Sequence, residues 1–88
     1  MAVSSTLRAT IVGKLEAGDL PRKGLTKMSA GHGRGYRCVA CDRTITAYDV
    51  EHEMNFGEGV TYRMHRDCAD LWQAECERRA ADERKGTL

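Results

Sequence analysis

The sequence has few residues from which an apolar core could be built. Only five of its 88 residues are aromatic, and 31% are charged. A chain this short and polar gains little stability from apolar burial alone, so we expect a cross-link to stabilise the fold. The candidates are a metal ion and disulfides.

Long apolar runs are also missing. Arg8 and Lys14 interrupt the N-terminal segment, which therefore has no signal-peptide core. No stretch approaches the roughly 20 apolar residues that span a bilayer, so we expect no membrane partner. These absences predict a cytoplasmic protein in a reducing compartment, where four cysteines favour metal binding over disulfides.

Charge is unevenly distributed although the net charge is only +1. Residues 19–37 carry five basic residues against Asp19 alone, a net charge of +4, whereas residues 38–65 have a net charge of −3. A basic segment that precedes a metal-binding module could follow nucleic-acid phosphates. The candidate contacts are Arg22, Lys23, Lys27, Arg34 and Arg37.

The first 37 residues are predicted to form a helix and a loop. Leu7, Ile11 and Leu15 recur every four residues, which indicates an amphipathic helix over residues 4–17 within an N-terminal segment, 1–18. Ser4 or Ser5 is the expected N-cap, and Gly18 is placed to end the helix. Residues 19–37 show no periodicity and contain a Gly-rich run, so we predict a flexible basic loop.

Residues 38–86 are predicted to form one module with a β-hairpin and a helix. Alternation over residues 45–64 places Tyr48, Val50, Met54 and Phe56 on one face and a charged, solvated face opposite, where Arg63 can meet a glutamate. Gly57–Gly59 is the predicted turn. A helix should follow from about residue 65 to 85, buried on the side of Cys68, Leu71, Trp72 and Cys76, with its half beyond Cys76 in solvent.

The strongest motif is a CxxC pair followed, after 23 residues, by an HxxC pair. Three thiolates and one imidazole form a closed tetrahedral set for a structural Zn²⁺. Cys76 is excluded because eight helical residues place it about 12 Å beyond Cys68. A turn, a hairpin and a helix around one ion predict an α+β treble-clef zinc finger with an added N-terminal helix and loop. The expected ligands are Cys38, Cys41, His65 and Cys68.

Other interpretations of the motif fit less well. A redox CxxC lacks the strand–CxxC–helix order of thioredoxins, and iron is less suited than zinc to three thiolates and one histidine. Four protein ligands leave no position for a catalytic water, and the deaminase signature is missing. We therefore predict no enzymatic activity and no small-molecule substrate. His52 is the one candidate for a hydrolytic site, and we expect it to be half-buried instead.

A succession of short segments over about residues 15–75 carries a family resemblance: Leu20-Pro21, Gly35, Cys38-Val39-Ala40-Cys41, Ile45, Glu51-His52-Glu53-Met54, His65-Arg66-Asp67-Cys68 and Trp72. With these segments the chain resembles a family of small uncharacterised proteobacterial zinc-finger proteins. The resemblance implies a zinc module after a short N-terminal segment, without a particular activity. The ligand pattern is also similar to one zinc module of a LIM domain, which implies protein interaction.

The sequence therefore supports two main functions. The first is a non-enzymatic zinc module that binds a protein partner or a second copy of itself through the apolar side of the N-terminal helix. The other possibility for this apolar side is that it docks on Trp72 and Leu71 within the same chain. The alternative is a nucleic-acid-binding zinc finger that uses the basic loop over residues 22–37. We also expect that loss of one metal ligand unfolds the module and leaves the N-terminal helix largely unaffected.

Overall fold

Two helices and a three-stranded antiparallel sheet form the described part of the chain, in a computed structural model that covers residues 2–22, 24–57 and 59–86. The strand order in the sheet is β1-β2-β3. The α+β class is therefore confirmed, with one strand more than predicted. The elements are α1 (Ala2–Ala17), β1 (Lys27–His32), β2 (Val50–Asn55), β3 (Thr61–His65) and α2 (Arg66–Gly86).

Helix α1 starts earlier than expected and ends where expected. It begins at Ala2, so the prediction of an N-cap at Ser4 or Ser5 is wrong, since both residues lie within the helix. At the other end Gly18 has a φ of +83°, and the Asp19 N–H donates to the Lys14 carbonyl oxygen at 2.8 Å. Such a left-handed residue is the usual end of a helix, and glycine adopts it without strain.

The prediction of a loop over residues 19–37 is wrong for Lys27–His32, which form β1. This strand pairs with β2 from Lys27 opposite Asn55 to His32 opposite Val50. Met28 is its only half-buried residue, so side-chain periodicity carries almost no signal and backbone hydrogen bonds hold the strand. Lys23, from the predicted set of basic contacts, and Glu58 lie outside the described residues.

The predicted hairpin is confirmed as β2 and β3. Gly57 and Gly59 both have a φ of +79°, and the Phe56 N–H donates to the Val60 carbonyl oxygen across the turn at 2.9 Å. Arg63 pairs with Glu53 on the opposite strand, with Nη2 and Oε2 3.3 Å apart. This contact is the predicted cross-strand ion pair.

The predicted faces of the hairpin are wrong in part. Tyr48 is fully exposed, while Glu51 is buried at 2% exposure. Tyr48 precedes the strand, which begins only at Val50. Glu51 is buried because Arg34 approaches to 3.2 Å and Arg63 to 4.0 Å. The supposedly solvated face therefore contains a buried carboxylate paired with arginines.

Helix α2 follows directly after β3 and packs against α1 as well as the sheet. Glu75 is buried at 3% exposure and lies 3.6 Å from Arg8 of α1. Arg79 is only 20% exposed and pairs with Glu75 at 3.3 Å. We expected α2 to project into solvent beyond Cys76. This expectation is wrong for residues 79–81, which are half-buried.

One apolar core joins all of these elements. Ile11 and Leu15 of α1 are buried in this core, so the apolar side of α1 that we expected to bind a partner packs within the chain instead. Trp72 lies edge-on to Phe56 with ring centroids 5.8 Å apart, and donates its indole N–H to the Pro21 carbonyl oxygen at 2.8 Å. Neither helix is, over its described residues, long and apolar enough to cross a membrane. The buried core residues are Ile11, Leu15, Leu20, Cys38, Ala40, Ile45, Met54, Met64, Cys68, Ala69 and Trp72.

Candidate metal centre

Cys38 and Cys41 lie at the two ends of a tight turn in the segment between β1 and β2. The Cys38 N–H donates to the Arg43 carbonyl oxygen at 2.8 Å, and the Asp42 N–H donates to the Cys38 carbonyl oxygen at 2.9 Å. Asp42 has a φ of +67°, a conformation that aspartate tolerates better than most residues. We call residues 37–44, which an isolated bridge between Arg37 and Thr44 closes, the knuckle.

His65 and Cys68 come from the junction between β3 and α2. We expected both in the first turn of the helix, but His65 is the last residue of β3 and only Cys68 is helical. Because the chain passes from strand to helix without a loop, the two side chains still reach the same point. The sheet fixes the position of the imidazole, and the helix fixes that of the thiol.

The structure brings all four predicted ligands together. The sulfur atoms of Cys38, Cys41 and Cys68 and one ring nitrogen of His65 all lie within 4.8 Å of one another. The His65 Nδ1 atom is 3.4 Å from the Cys41 sulfur and 4.0 Å from the Cys68 sulfur. Tetrahedral zinc, with bonds of about 2.3 Å to sulfur and 2.0–2.1 Å to nitrogen, separates these atoms by about 3.6 Å. The cluster therefore has the donor atoms and the dimensions to hold one metal ion.

The other ring nitrogen of His65 has partners of its own. Nε2 is 3.2 Å from the Thr44 carbonyl oxygen and 3.4 Å from the Asp49 Oδ2 atom. A proton on Nε2 that is donated to these acceptors leaves Nδ1 with its lone pair directed at the metal position. This arrangement fits metal binding through Nδ1.

Asp49 is the functional residue that sequence reasoning missed. Its carboxylate accepts hydrogen bonds from the Thr46 N–H at 2.8 Å and the Thr46 hydroxyl at 3.0 Å. These bonds hold the pKa of Asp49 below its usual value, and His65 contributes in the same direction. Thr46 and Asp49 are three residues apart, a spacing at which side chains commonly bond to nearby backbone groups, and this was the available signal.

The thiols influence one another strongly. A hydrogen bond from the Cys68 thiol lowers the pKa of Cys38 to about 4, against the opposing effect of burial. The same hydrogen bond raises the pKa of Cys68 above the usual range, and burial raises the pKa of Cys41. Without an ion the cluster therefore favours one thiolate next to two thiols. A divalent cation supplies the positive charge that releases the remaining protons.

The remaining cysteine and histidines lie outside this cluster, as predicted. The Cys76 sulfur contacts the Pro21 carbonyl oxygen at 3.9 Å, and burial raises the pKa of its thiol. His52 is half-buried in β2 and His32 is exposed in β1. Across the ranges that the structure covers, the four predicted ligands form the one group of three or more metal-binding side chains.

Four of the five predicted nucleic-acid contacts lie within the described residues and are exposed, but two of these four are used within the fold. Arg34 pairs with Glu51 at 3.2 Å and Glu53 at 3.3 Å. Arg37 donates from Nε to the Asp42 carbonyl oxygen at 3.1 Å and so supports the knuckle. Arg22 and Lys27 are exposed as well. Contact with nucleic acid stays a prediction for this set.

An open groove of about 890 Å³ lies beside the metal centre. Leu7 of α1, Tyr48 and Val50 contribute to its lining, together with the metal ligands Cys41 and His65. Tyr48 is fully exposed and Val50 is 40% exposed. The groove therefore places accessible apolar side chains next to the cluster.

Comparison with known proteins adds no relative: no protein-family model, curated protein or solved structure matches the chain. The resemblance to small proteobacterial zinc-finger proteins stays a prediction. Functional inference rests on the four ligands and their surroundings.

Proposed function

We propose that this chain is a non-enzymatic module, stabilised by one structural Zn²⁺, that binds a protein partner. The observation that carries the proposal is the set of four nitrogen and sulfur ligand atoms within 4.8 Å of one another. Three thiolates and one imidazole in a tetrahedral arrangement favour zinc over harder cations such as Mg²⁺ or Ca²⁺.

The order of elements supports a treble-clef assignment within this proposal. The knuckle supplies Cys38 and Cys41, the hairpin follows, and the strand–helix junction supplies His65 and Cys68. In this interpretation, α1 and β1 are additions to the zinc-binding module. Their packing and pairing onto it enlarge a core that would otherwise be small.

A structural role for the metal follows from the number of ligands. Four protein ligands fill the tetrahedral positions of zinc and leave none for a water or substrate, which is the usual difference between structural and catalytic sites. Thiolates bind metal only in their reduced form, so a reducing compartment such as the cytoplasm suits this site.

A protein is the partner that the exposed surface fits best. Exposed aromatic and apolar side chains are typical of interface centres, and Tyr48 and Val50 present such a surface beside the metal groove. Nucleic-acid binding requires free cations, whereas Arg34 and Arg37 already have acceptors within the fold.

Metal analysis of the purified protein tests the structural part of the proposal. We expect one zinc ion per chain and loss of NMR dispersion after a strong chelator, because metal binding of about 10–16 kcal/mol supplies much of the folding free energy. Cys38→Ser should abolish binding, whereas Cys76→Ser should retain one equivalent. A metal-free chain with unchanged dispersion would overturn the assignment.

Affinity capture tests the binding part. The zinc-loaded chain and the Cys38→Ser variant are immobilised in parallel and exposed to cell extract and to a differently tagged copy of the chain. We expect the folded chain to retain either a protein from the extract or the tagged copy of itself. The Cys38→Ser variant should retain neither. Retention of nucleic acid alone, or of nothing, contradicts a protein-binding function.

A further inference from the structure

Strand β1 is an edge strand whose outer side is open. It pairs with β2 on one side, and five of its six residues are exposed. Edge strands of natural proteins are usually protected by charged side chains, prolines, bulges or a covering segment. Residues 28–32 contain no proline, aspartate, glutamate, lysine or arginine, and they pair with β2 in continuous register.

The hydrogen-bond pattern of the sheet shows which backbone groups face outward. The Phe56 N–H donates to Val60, so the even-numbered residues of β2 bond to β3 and its odd-numbered residues bond to β1. The Gly33 N–H donates to the backbone carbonyl oxygen of Asp49, another odd-numbered residue, which continues this pattern. The N–H and C=O groups of Met28, Ala30 and His32 therefore point away from the sheet.

We propose that a second copy of this chain pairs its β1 with this edge, antiparallel, about a two-fold axis at Ala30. The inference rests on the proposed protein-binding function and names its partner and its surface. In this register Ala30 lies opposite Ala30 of the second copy, and Met28 lies opposite His32. All three outward residues of each strand then exchange both of their backbone hydrogen bonds, and one six-stranded sheet results.

The side chains along this edge favour the same partner. In the proposed register, Lys27 of the second copy lies opposite Gly33, next to Gly31. A depression of about 340 Å³ at this edge is lined in part by Gly31, Glu51 and Glu53. Arg34 also lines it and pairs with both carboxylates, so the lysine would join an existing ion-pair network. A Cβ atom at Gly31 would meet nothing within 4 Å, so the lysine can extend across the strand over Gly31 towards the two carboxylates.

Glu53 is the acceptor that a lysine from outside can reach, since its side chain is 29% exposed and its Oε2 atom lies 3.3 Å from Arg34 and Arg63. The neighbouring Glu51 Oε1 atom is buried without a hydrogen-bond partner among the described residues, and a buried acceptor of this kind is costly. A positive charge placed beside the two carboxylates lowers that cost. Lys27 is exposed in β1, so the residue that would supply the ammonium belongs to the edge itself.

Sedimentation equilibrium and amide hydrogen exchange on the zinc-loaded chain test this inference. We expect a monomer–dimer equilibrium, with the Ala30 and His32 amides protected increasingly as protein concentration rises. Ala30→Lys should raise the dimer dissociation constant about 100-fold or more, because like charges then meet at the axis. Gln73→Lys, at an exposed position of α2, adds the same charge and should leave dimerisation unchanged.

Lys27→Glu provides a second test with an exposed residue and should also weaken the dimer. A chain that stays monomeric at millimolar concentration, or a dimer that neither Ala30→Lys nor Lys27→Glu weakens, overturns the inference. Capture of a different protein by such a monomer would leave the proposed function standing. Both β1 variants must retain one zinc per chain, so a folding defect is distinguished from a lost interface.

Discussion

The Lys14 ammonium nitrogen lies 2.8 Å from the Val39 carbonyl oxygen, so the last turn of α1 holds the turn between the first two cysteine ligands. The same ammonium is 2.9 Å from the Asp42 carboxylate. Ile11 and Leu15 of α1 belong to the same core as Cys38 and Cys68. The helix is therefore part of the metal-binding fold, and loss of a ligand should also release α1, contrary to the expectation from sequence.

Replacing Lys14 should weaken the whole fold. Lys14→Met keeps the apolar stem of the side chain and removes its charged hydrogen-bond donor. We expect the free energy of unfolding to fall by about 1–3 kcal/mol, because the partly buried Val39 carbonyl loses a charged donor. Denaturant titration of the zinc-loaded protein measures this change. Asp42→Asn removes only the exposed ion pair and should cost less; equal effects would contradict the role of Val39.

Asp49 should tune the affinity for metal without binding the ion. In Asp49→Asn the side chain can still accept from Thr46, but the charge beside His65 Nε2 is lost. We expect metal affinity to fall about 10–100-fold, as for other partners of metal-binding histidines. Competition with a chelator of known affinity measures the change. Asp70→Asn, on the exposed side of α2, is the matched control, and equal affinities in both variants would refute this role.

Gly33 should tolerate no side chain. A Cβ atom at this position would lie 1.9 Å from the Thr46 carbonyl oxygen, whereas one at Gly31 would meet nothing within 4 Å. Gly33→Ala should therefore lower the free energy of unfolding by about 1–3 kcal/mol or more, because backbone must move. Gly31→Ala serves as the control in the same segment. Similar unfolding midpoints for the two variants would show that the close approach at Thr46 is not strained.

Glu75 should contribute stability that depends on pH. The hydrogen bond from Arg78, with further attraction from Arg79 and Arg8, lowers the pKa of Glu75 below its usual value of 4.5. A carboxylate with a lowered folded-state pKa stabilises the fold above its unfolded-state pKa, and this contribution is lost as pH falls through the folded-state value.

Comparison of wild type with Glu75→Gln isolates this contribution from acid-induced metal loss, which affects both proteins. We expect Glu75→Gln to cost about 1–3 kcal/mol at neutral pH, since Glu75 is a buried acceptor of charged donors. The difference should shrink below pH 4.5. Glu77→Gln, on the exposed side of α2, should show no such dependence; a pH-independent difference for Glu75→Gln would contradict the argument.

The metal cluster could be predicted because its signal is local in sequence. Two pairs of ligands at short spacing need only a turn and a strand–helix junction to bring them together, and the glycines at 57 and 59 mark the hairpin between them. Strand β1 could not be predicted in this way. It has one half-buried side chain, and backbone bonds to a strand some 20 residues away hold it in place.

Burial of charged residues was the second failure of prediction. Glu51 is buried beside Arg34, and Glu75 is buried beside Arg8 of α1 as well as Arg78 and Arg79 of its own helix. The partners Arg34 and Arg8 come from other segments of the chain, and such contacts leave no periodic pattern in the sequence. The contact between Asp49 and His65 is likewise a tertiary one, since the two residues are 16 positions apart. Composition and spacing identified the ligands, whereas the residues that support them depended on the folded chain.

The chain contains a single tryptophan, and its position makes it an internal optical reporter. Trp72 is buried edge-on against Phe56, and its indole N–H is bonded to the Pro21 carbonyl in the segment after α1. Its emission should therefore lie at short wavelength in the folded protein and move to longer wavelength when water reaches the ring. Because the ring shares a core with Cys38 and Cys68 of the candidate metal centre, metal release could be followed in real time by fluorescence, without a label.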